Sequence, residues 1–207
     1  MKHPGAYKKT ITAYKKIGKS YLKSIKDITP KQFFNFIKLL PKAGRVLDVG
    51  CAGGRDSKKF TQKGFKVIGI DLVDEFLDEA KIYVPKARFI KMDLLKMKFP
   101  KGYFDGIWAS SVLVHIKRKD VPTALKNFYK ILRAGGKIFI AVKSGRGSAY
   151  ITDKLSNENR LFVYFSKEET KRLLNKIGFK LLLIKLFPDD AGRKEVKWIR
   201  IIAEKPV

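Results

Sequence analysis

The chain has 207 residues, of which 45% are apolar, and this length and composition suit one domain with a substantial hydrophobic core. Its one cysteine, Cys51, excludes an internal disulfide and a metal site built on several cysteines, and two histidines far apart in the sequence do not suggest zinc. No apolar run approaches the length of a membrane span, and the lysine-rich start lacks the apolar centre of a signal peptide. We therefore expect a soluble cytoplasmic protein.

The formal net charge of the chain is +27, which is large for its length. One explanation is a polyanionic partner such as RNA, or an anionic membrane surface. The other is a general lysine bias, because the lysines are spread through almost every segment instead of forming one patch. The charge by itself does not identify a partner.

The first 28 residues predict a basic amphipathic helix, because apolar and aromatic residues recur at steps of three and four with lysines between them. Gly18 weakens the prediction of one unbroken helix. Such a helix can lie on a membrane or on phosphates, but we favour docking of its apolar stripe on the remaining domain, residues 29–207. The stripe consists of Tyr7, Ile11, Tyr14, Ile17, Tyr21, Ile25 and Ile28.

A second helix is predicted to begin at Thr29 and Pro30, since a capping side chain is followed by proline at the first helical position. Pro41 is expected to end it. Its buried face would consist of Phe33, Phe34, Phe36, Ile37 and Leu40.

Residues 45–62 predict a buried strand, a glycine-rich turn and a helix in direct succession. The short apolar run at 45–49 is typical of a strand covered on both faces, and we expect Asp48 to lie at a solvent-facing strand end. The turn glycines permit a close ligand approach, and the free N–H groups of the helix from Arg55 to Gln62 point at whatever lies above it. A small ligand with a carboxylate or hydroxyl groups would suit this place. The glycines are Gly50, Gly53 and Gly54.

The next strand, Phe65 to Ile70, ends at Asp71, an acidic residue about 20 residues past the glycine turn. A carboxylate there is placed to accept both hydroxyl protons of a ribose. Capping of the next helix is the alternative role. Because Asp74 and Glu75 can serve that helix, we expect Asp71 to be left for a ligand.

The remaining chain continues the alternation of strands and helices. A third strand is predicted at Arg88–Met92, a fourth at Phe104–Ser111, a helix at Val121–Leu132, a turn at 132–136 and a fifth strand at Lys137–Val142. Gly145–Phe165 is irregular and is the longest candidate lid. A capping box at Ser166 starts a helix that ends at Gly178, and two antiparallel strands follow at Lys180–Phe187 and Glu195–Ala203.

The pattern Asp48-x-Gly50-x-Ala52-x-Gly54 resembles the first motif of the class I S-adenosylmethionine (SAM) methyltransferases, with Ala52 in place of the middle glycine. The runs Tyr103–Ala109, Leu113–Ile116 and Tyr129–Ile140 resemble that family's fourth motif, the helix after it and the turn before the fifth strand. From about Thr29 to the C-terminus, the chain is similar to the small, UbiE-like members of this superfamily. The resemblance implies an α/β, Rossmann-like fold, in which a seven-stranded, mostly parallel sheet ends in an antiparallel hairpin and carries helices on both faces.

The resemblance also implies SAM as cofactor, bound over the carboxyl ends of strands one to four, with S-adenosylhomocysteine as product and without a metal. In the family, Met92 would flank the adenine and Asp93 would accept its amine, although a plain turn aspartate is the alternative. The residues expected to bind the cofactor are Asp48, Gly50, Cys51, Ala52, Gly54, Asp71, Leu72, Met92, Asp93 and Ser110.

N-terminal helices of the resembled enzymes cap the cofactor and frame the substrate entrance, so residues 1–28 are expected to cap this site. Candidate substrate-pocket residues are Tyr14, Tyr21, Ser110, Arg146, Arg160 and Tyr164. His115 is the candidate general base, because it follows the fourth strand; a packing or helix-start role is the alternative.

Four functions remain open at this point. The sequence favours transfer of a methyl group to an O, N or C nucleophile of a small-molecule acceptor. A tRNA methyltransferase is the rival, because the loop Asn159–Tyr164 faintly resembles wobble-uridine carboxyl methyltransferases and the chain is basic. The third is a non-catalytic RNA-binding or partner module on this fold. The last, a nicotinamide-dependent reductase, is disfavoured, because Ala52 and Arg55 occupy the second and third glycine positions of the G-x-G-x-x-G fingerprint.

Overall fold

The computed structural model describes residues 5–152 and 159–207, with side chains from residue 9 onwards. The predicted contribution of Tyr7 to the helical stripe and the central part of the candidate lid lie outside the described residues. The helices are α1 (Gly5–Ile25), α2 (Gln32–Ile37), α3 (Arg55–Gln62), α4 (Asp74–Tyr83), α5 (Val121–Ile131) and α6 (Lys167–Ile177). The strands are β1 (Arg45–Val49), β2 (Lys66–Asp71), β3 (Arg88–Lys91), β4 (Phe104–Ser110), β5 (Leu132–Lys143), β6 (Ser148–Thr152), β7 (Asn159–Val163), β8 (Lys180–Pro188) and β9 (Lys197–Glu204).

Seven of the strands form one sheet in the order β3-β2-β1-β4-β5-β9-β8. The first five strands are parallel, whereas β9 pairs antiparallel with both β5 and β8. The chain moves outward from β1 in one direction through β2 and β3, and then in the other through β4 and β5. This switch point opens a crevice above the carboxyl ends of β1 and β4. The predicted fold class is confirmed.

The core is centred on Trp108 of β4, which is completely buried. Its ring stacks on Phe139 of β5 with 3.9 Å between the centroids. Phe36 of α2 and Phe60 of α3 pack against the same indole at 5.4 and 5.6 Å. Helices therefore cover the central strands, which explains why β1 and β4 read as nearly continuous apolar runs.

The prediction for the second helix is wrong at both ends of the helix and for one residue of its buried face. The helix begins at Gln32 instead of Thr29, and it ends at Ile37, before Pro41. The Thr29 hydroxyl accepts a hydrogen bond from the Lys59 ammonium, so it does not cap α2. Phe34 is 57% exposed, so it does not belong to the buried face of the helix, which includes Phe33.

The region predicted as an irregular lid contains the two strands β6 and β7, which form a small antiparallel sheet. The prediction of irregular structure is therefore wrong for these strands. β7 packs near α1, where the Thr10 hydroxyl accepts a hydrogen bond from the Leu161 N–H at 3.1 Å. This contact joins the N-terminal helix and β7 above the sheet.

Several boundaries also differ from the prediction. The predicted turn at 132–136 lies within β5, where the register with β4 shifts between Phe104 and Gly106. In contrast, the predicted limits of α6 are confirmed: the Ser166 hydroxyl accepts from the Glu169 N–H at 3.1 Å, and Gly178 ends the helix with φ of 107°.

The N-terminal helix contains a kink. Gly18 has φ of 32° and ψ of −118°, so α1 consists of two helical halves. None of the helices in the described part of the chain combines the length and apolar character needed to cross a bilayer.

Candidate functional site

Two adjoining cavities form a cleft above the carboxyl ends of β1, β2 and β4. The first cavity has a volume of about 120 Å³ and the second about 410 Å³. They adjoin each other, because seven residues border both. The shared residues are Tyr14, Tyr21, Gly50, Ala52, Ser110, Ser111 and His115.

The glycine-rich turn after β1 forms the floor of this cleft. Gly50 has φ of 70°, and a Cβ there would lie 2.8 Å from the Val112 side chain. The N–H groups of Gly50 and Cys51 both donate to the Ile70 carbonyl, at 2.8 and 3.1 Å. Ala52, which replaces the middle glycine of the motif, also has a positive φ of 45°. The turn is thus held against β2 in a conformation that favours glycine.

Asp71 lies at the end of β2 and borders the first cavity. Its Oδ2 accepts from the Ala52 N–H at 3.0 Å, and its Oδ1 accepts from the N–H groups of Leu72 and Val73 at 2.7 and 3.0 Å. These bonds show that the carboxylate also binds the turn and the residues just before α4, and its expected role toward a ligand stays a prediction. Since a carboxylate offers about four acceptor positions, one remains at Oδ2. Burial raises the pKa of this carboxyl, and the three amides oppose that rise.

Asp48 is only 3% exposed, so the expectation of a solvent-facing strand end is wrong. The Ser57 hydroxyl of α3 donates to its Oδ2 at 2.7 Å and takes the place of water. Burial, followed by the negative charge of Asp56, raises the pKa of Asp48 to about 7. Asp56 is itself held by the Arg55 guanidinium and by the Trp108 indole N–H. Asp48 borders the second cavity.

The other residues predicted at the turn have different surroundings. Cys51 borders the second cavity, but its thiol is buried among α4 residues and burial raises its pKa. Gly54 borders neither cavity. A Cβ at Gly54 would lie 3.2 Å from Ala80 and Phe89, so this glycine permits close packing of the turn on its neighbours.

Beyond β2, the first cavity has apolar walls. Met92 and Leu94, which follow β3, border it together with Leu72 and Val112. Asp93 borders neither cavity, and its Oδ1 accepts from the Leu95 N–H at 2.8 Å. The alternative role of Asp93 as a turn residue matches this contact.

The structure brings Tyr14 of α1 and His115 together across the cleft. The Tyr14 hydroxyl lies 2.8 Å from His115 Nε2, and His115 Nδ1 lies 2.8 Å from the Leu161 carbonyl oxygen. Because a carbonyl only accepts, Nδ1 carries the proton, and Nε2 accepts from the Tyr14 hydroxyl. Burial lowers the pKa of His115 to about 4 and raises that of Tyr14 well above its usual value. The pair is neutral at pH 7.

The second cavity is lined by charged residues that sequence reasoning largely missed. Lys143 lies at the end of β5 and Arg200 on β9, while Asp189, Asp190 and Arg193 come from the β8–β9 turn. These residues are far apart in sequence and converge only because β9 pairs with β5. Arg160, a predicted pocket candidate, lies here on β7.

Two predicted substrate-pocket residues do not border either cavity. Arg146 is exposed, in the segment between β5 and β6. Tyr164 packs its ring near Gly145, and its carbonyl accepts from the Arg118 guanidinium. In residues 5–152 and 159–207, no group of three or more histidine, cysteine or acidic side chains could hold a metal ion.

The chain is similar in sequence to known methyltransferase domains and SAM-dependent proteins. Residues 46–136 match a family described as a methyltransferase domain. The chain is 34% identical over 117 residues to phosphoethanolamine N-methyltransferase 3 of Arabidopsis thaliana, a match that covers 54% of this chain and 23% of that protein. It is 28% identical over 162 residues to the S-adenosyl-L-methionine-dependent Diels-Alderase iliD of Neonectria sp., covering 77% of this chain and 62% of that protein. The chain therefore spans less than two thirds of the length of both relatives.

A solved structure shares nearly the whole fold. The 1,6-didemethyltoxoflavin-N1-methyltransferase of Burkholderia thailandensis, with bound 1,6-didemethyltoxoflavin and S-adenosylhomocysteine, has a TM-score of 0.79 and 20% sequence identity. The match covers 100% of this chain and 92% of that chain. At this identity, the likeness establishes the fold alone.

Proposed function

We propose that the chain is a class I SAM-dependent methyltransferase, which the match of residues 46–136 to a methyltransferase domain supports, and that it transfers a methyl group from SAM to a small molecule. The acceptor carries an O, N or C nucleophile, and S-adenosylhomocysteine is the second product. The observation that carries this proposal is the first cavity, where a glycine-rich turn, Asp71 and the apolar pair Met92 and Leu94 surround one space.

These residues fit the nucleoside end of SAM. The remaining acceptor position of Asp71 Oδ2 suits one ribose hydroxyl. Leu72 and Met92 supply apolar surface on which an adenine can pack. When bound, SAM supplies a methyl group that is already electrophilic, so the protein has to align the nucleophile and exclude water.

Residues 1–28 are proposed to act as a cap over the bound cofactor. Tyr14 and Tyr21 of α1 border both cavities, and their rings are 4.9 Å apart. Leu22 lies so close to the turn that a Cβ on Gly53 would be 2.8 Å from it. Because α1 residues border both cavities, movement of α1 about the Gly18 kink would widen the access of SAM to the cleft.

His115 is proposed to act through Tyr14 in the reaction. Its Nε2 is already occupied by the Tyr14 hydroxyl, so His115 does not reach an acceptor directly in this geometry. Tyr14 can accept a proton from the acceptor while it passes its own proton to Nε2. The low pKa of His115 makes this a weak base, which suits an acceptor that loses its proton readily.

Transfer to tRNA is the second candidate, and the net charge of +27 favours it. Lysines of α1 contribute to that charge, but Lys15 and Lys19 are paired with Glu75 and Glu79 of α4. A small-molecule acceptor is consistent with the second cavity, whose volume of about 410 Å³ lies in the range of small-ligand sites. We also propose a cytoplasmic location.

The first experiment incubates the purified protein with methyl-labelled SAM and a cell extract, followed by separation of small molecules, RNA and protein. Label in the small-molecule fraction, with equimolar S-adenosylhomocysteine, is the expected result. Label in RNA would instead support the tRNA candidate, and its loss with increasing salt should then be steep. SAM binding without any transfer would contradict the proposed methyl transfer; one relative, after all, is a SAM-dependent Diels-Alderase.

A further inference from the structure

The second cavity contains a cationic group, Lys143, beyond those that pair with its acidic residues. Arg193 pairs with Asp189 through two contacts of 2.8 and 2.9 Å, and Arg200 pairs with Asp190. In the same cavity, Arg55 is bound by Asp56. These three ion pairs occupy the cavity's acidic residues other than Asp48, which Ser57 holds.

Lys143 also lines this cavity and takes part in none of the three ion pairs. Its ammonium lies 3.8 Å from the centroid of the Phe162 ring, and within the described residues it has neither a hydrogen bond nor an ion pair with a carboxylate. Partial burial, followed by repulsion from the charges of Arg193 and Arg160, lowers the pKa of Lys143 to about 8, and the negative charges of Asp189 and Glu195 oppose this change. A partly buried ammonium without an acidic partner is costly, and a bound anion would offset that cost.

A second cation, Arg160, lines the same cavity as Lys143 and lies near the same aromatic ring. Its guanidinium lies 5.4 Å from the centroid of Phe162 and 5.0 Å from that of Tyr14. The two cations therefore share one aromatic ring, and Arg160 also reaches the tyrosine that is hydrogen-bonded to His115. An anion held by both would lie next to the Tyr14–His115 pair.

We propose that the methyl acceptor is a small molecule with a phosphate or carboxylate group, and that Lys143 and Arg160 bind this group. The proposal rests on the proposed function, because it names the acceptor class of the same site. An arginine and a lysine that converge on one space are typical of sites for such oxyanions. The bound anion would fix the acceptor's nucleophile on the side of the cavity that borders Ser110 and the glycine turn.

The position of the anion site within a cavity also argues against RNA as the source of the phosphate. Lys143 is half-buried in a cavity that residues of α1 and β7 also line, and these two elements are joined by the bond between Thr10 and Leu161. Phosphates of a folded RNA contact exposed cations on a surface, whereas this cavity is of small-molecule size. The methionine carboxylate of SAM is the competing occupant, and the experiment has to separate the two.

The test uses inorganic phosphate as the probe and calorimetry on the full chain saturated with S-adenosylhomocysteine. The variants are Lys143→Met and, as a matched control with the same change of charge, Lys185→Met, which is exposed on β8 and borders neither cavity. Phosphate affinity should fall about tenfold or more in Lys143→Met and stay unchanged in Lys185→Met. The affinity for S-adenosylhomocysteine should be the same in all three proteins, which also shows that the variants are folded.

Each other result has a definite meaning. Equal phosphate binding by all three proteins would assign the anion to the general basic surface and overturn the proposal. A parallel loss of S-adenosylhomocysteine affinity in Lys143→Met would assign Lys143 to the cofactor and also overturn it. Lys143-dependent binding of acetate but not phosphate would support a carboxylate acceptor, whereas binding of neither would refute the proposal. Failure of the unaltered chain to bind S-adenosylhomocysteine would instead refute the proposed function itself.

Discussion

At the scale of single residues, the Tyr14–His115 pair has a defined direction of hydrogen bonding. The Leu161 carbonyl fixes the proton of His115 on Nδ1, and Nε2 is left as an acceptor for Tyr14. Arg160 lies 5.0 Å from the Tyr14 ring and lowers the pKa of its hydroxyl, against the larger upward effect of burial. The Tyr14 hydroxyl therefore gives its proton to His115 Nε2 only when it takes a proton from the methyl acceptor.

Replacement of Tyr14 by phenylalanine tests this relay. We expect the initial rate of S-adenosylhomocysteine formation to fall about 100-fold, in the range of lost general-base catalysis, while the SAM affinity changes little. Tyr83→Phe is the matched control, because it removes the same hydroxyl group from a partly exposed tyrosine of α4 that borders neither cavity. Equal rates for Tyr14→Phe and the unaltered protein would contradict the relay.

Asp71 is the second residue with a specific prediction. Asp71→Asn keeps the shape but removes the charge, and an amide nitrogen would face a backbone N–H on one side. We expect the SAM affinity to fall at least about tenfold, because hydrogen bonds to a charged acceptor are worth about 1.5–3 kcal/mol. Calorimetry gives the affinity, and the unfolding midpoint without ligand separates this effect from a loss of stability. Unchanged SAM affinity would exclude the ribose contact.

At the scale of elements, two different effects disfavour a side chain at Gly50 in the turn after β1: a steric clash and a positive φ. Substitutions can separate these two effects. Gly50→Ala would place a Cβ 2.8 Å from Val112 and also impose a side chain at φ of 70°. Gly64 has φ of 85°, and a Cβ added there would meet no atom within 4 Å, so Gly64→Ala carries only the conformational cost. Strain of this kind is worth about 1–3 kcal/mol.

We therefore expect Gly50→Ala to lower the free energy of unfolding more than Gly64→Ala does. The double variant Gly50→Ala, Val112→Ala should recover part of the difference, because it removes the clashing methyl group. Urea denaturation measures all of these. If Gly50→Ala and Gly64→Ala were equally destabilised, the turn would yield to the added methyl group, and close packing would not explain the glycine.

The elements also show how much the sequence could predict. Local sequence patterns were sufficient to predict helix limits where the interacting residues are close in the sequence, as for the Ser166 cap of α6 and the limits of α3. Thr29, like Ser166, has a side chain that favours capping a helix. However, its hydroxyl oxygen accepts a hydrogen bond from Lys59, which is 30 residues away in the sequence. A capping preference cannot reveal such a distant competitor.

The same limit applied to the site. The sequence could predict that Gly50, Ala52 and Asp71 lie close together at the proposed cofactor side, because they belong to one strand-turn-helix-strand unit. The acceptor side was not, because Lys143 and Arg193 reach the cleft only through the pairing of β5 with β9. The burial of Asp48 was also missed, since it depends on how α3 lies over the end of β1.

At the scale of the whole molecule, buried groups give opposite contributions to the dependence of stability on pH. The pKa of His115 falls from 6.5 to about 4 on folding, so the unfolded chain binds more protons between these values, and stability decreases as the pH falls. The pKa of Asp48 rises from 3.8 to about 7, so the folded chain binds more protons, and stability decreases as the pH rises. Asp71, whose pKa is also raised, acts in the same direction as Asp48.

Replacing His115 or Asp48 should therefore change, in a known direction, how the free energy of unfolding depends on pH. Relative to the unaltered protein, His115→Gln should lose stability as the pH rises from about 4 to about 6.5, because the opposing contribution of the histidine is gone. Asp48→Asn should gain stability over the same range, since its amide still accepts from Ser57 but no longer titrates. Urea unfolding at several pH values measures both, and each variant is the control for the other. Parallel profiles for the two variants would show that neither buried group titrates with a shifted pKa.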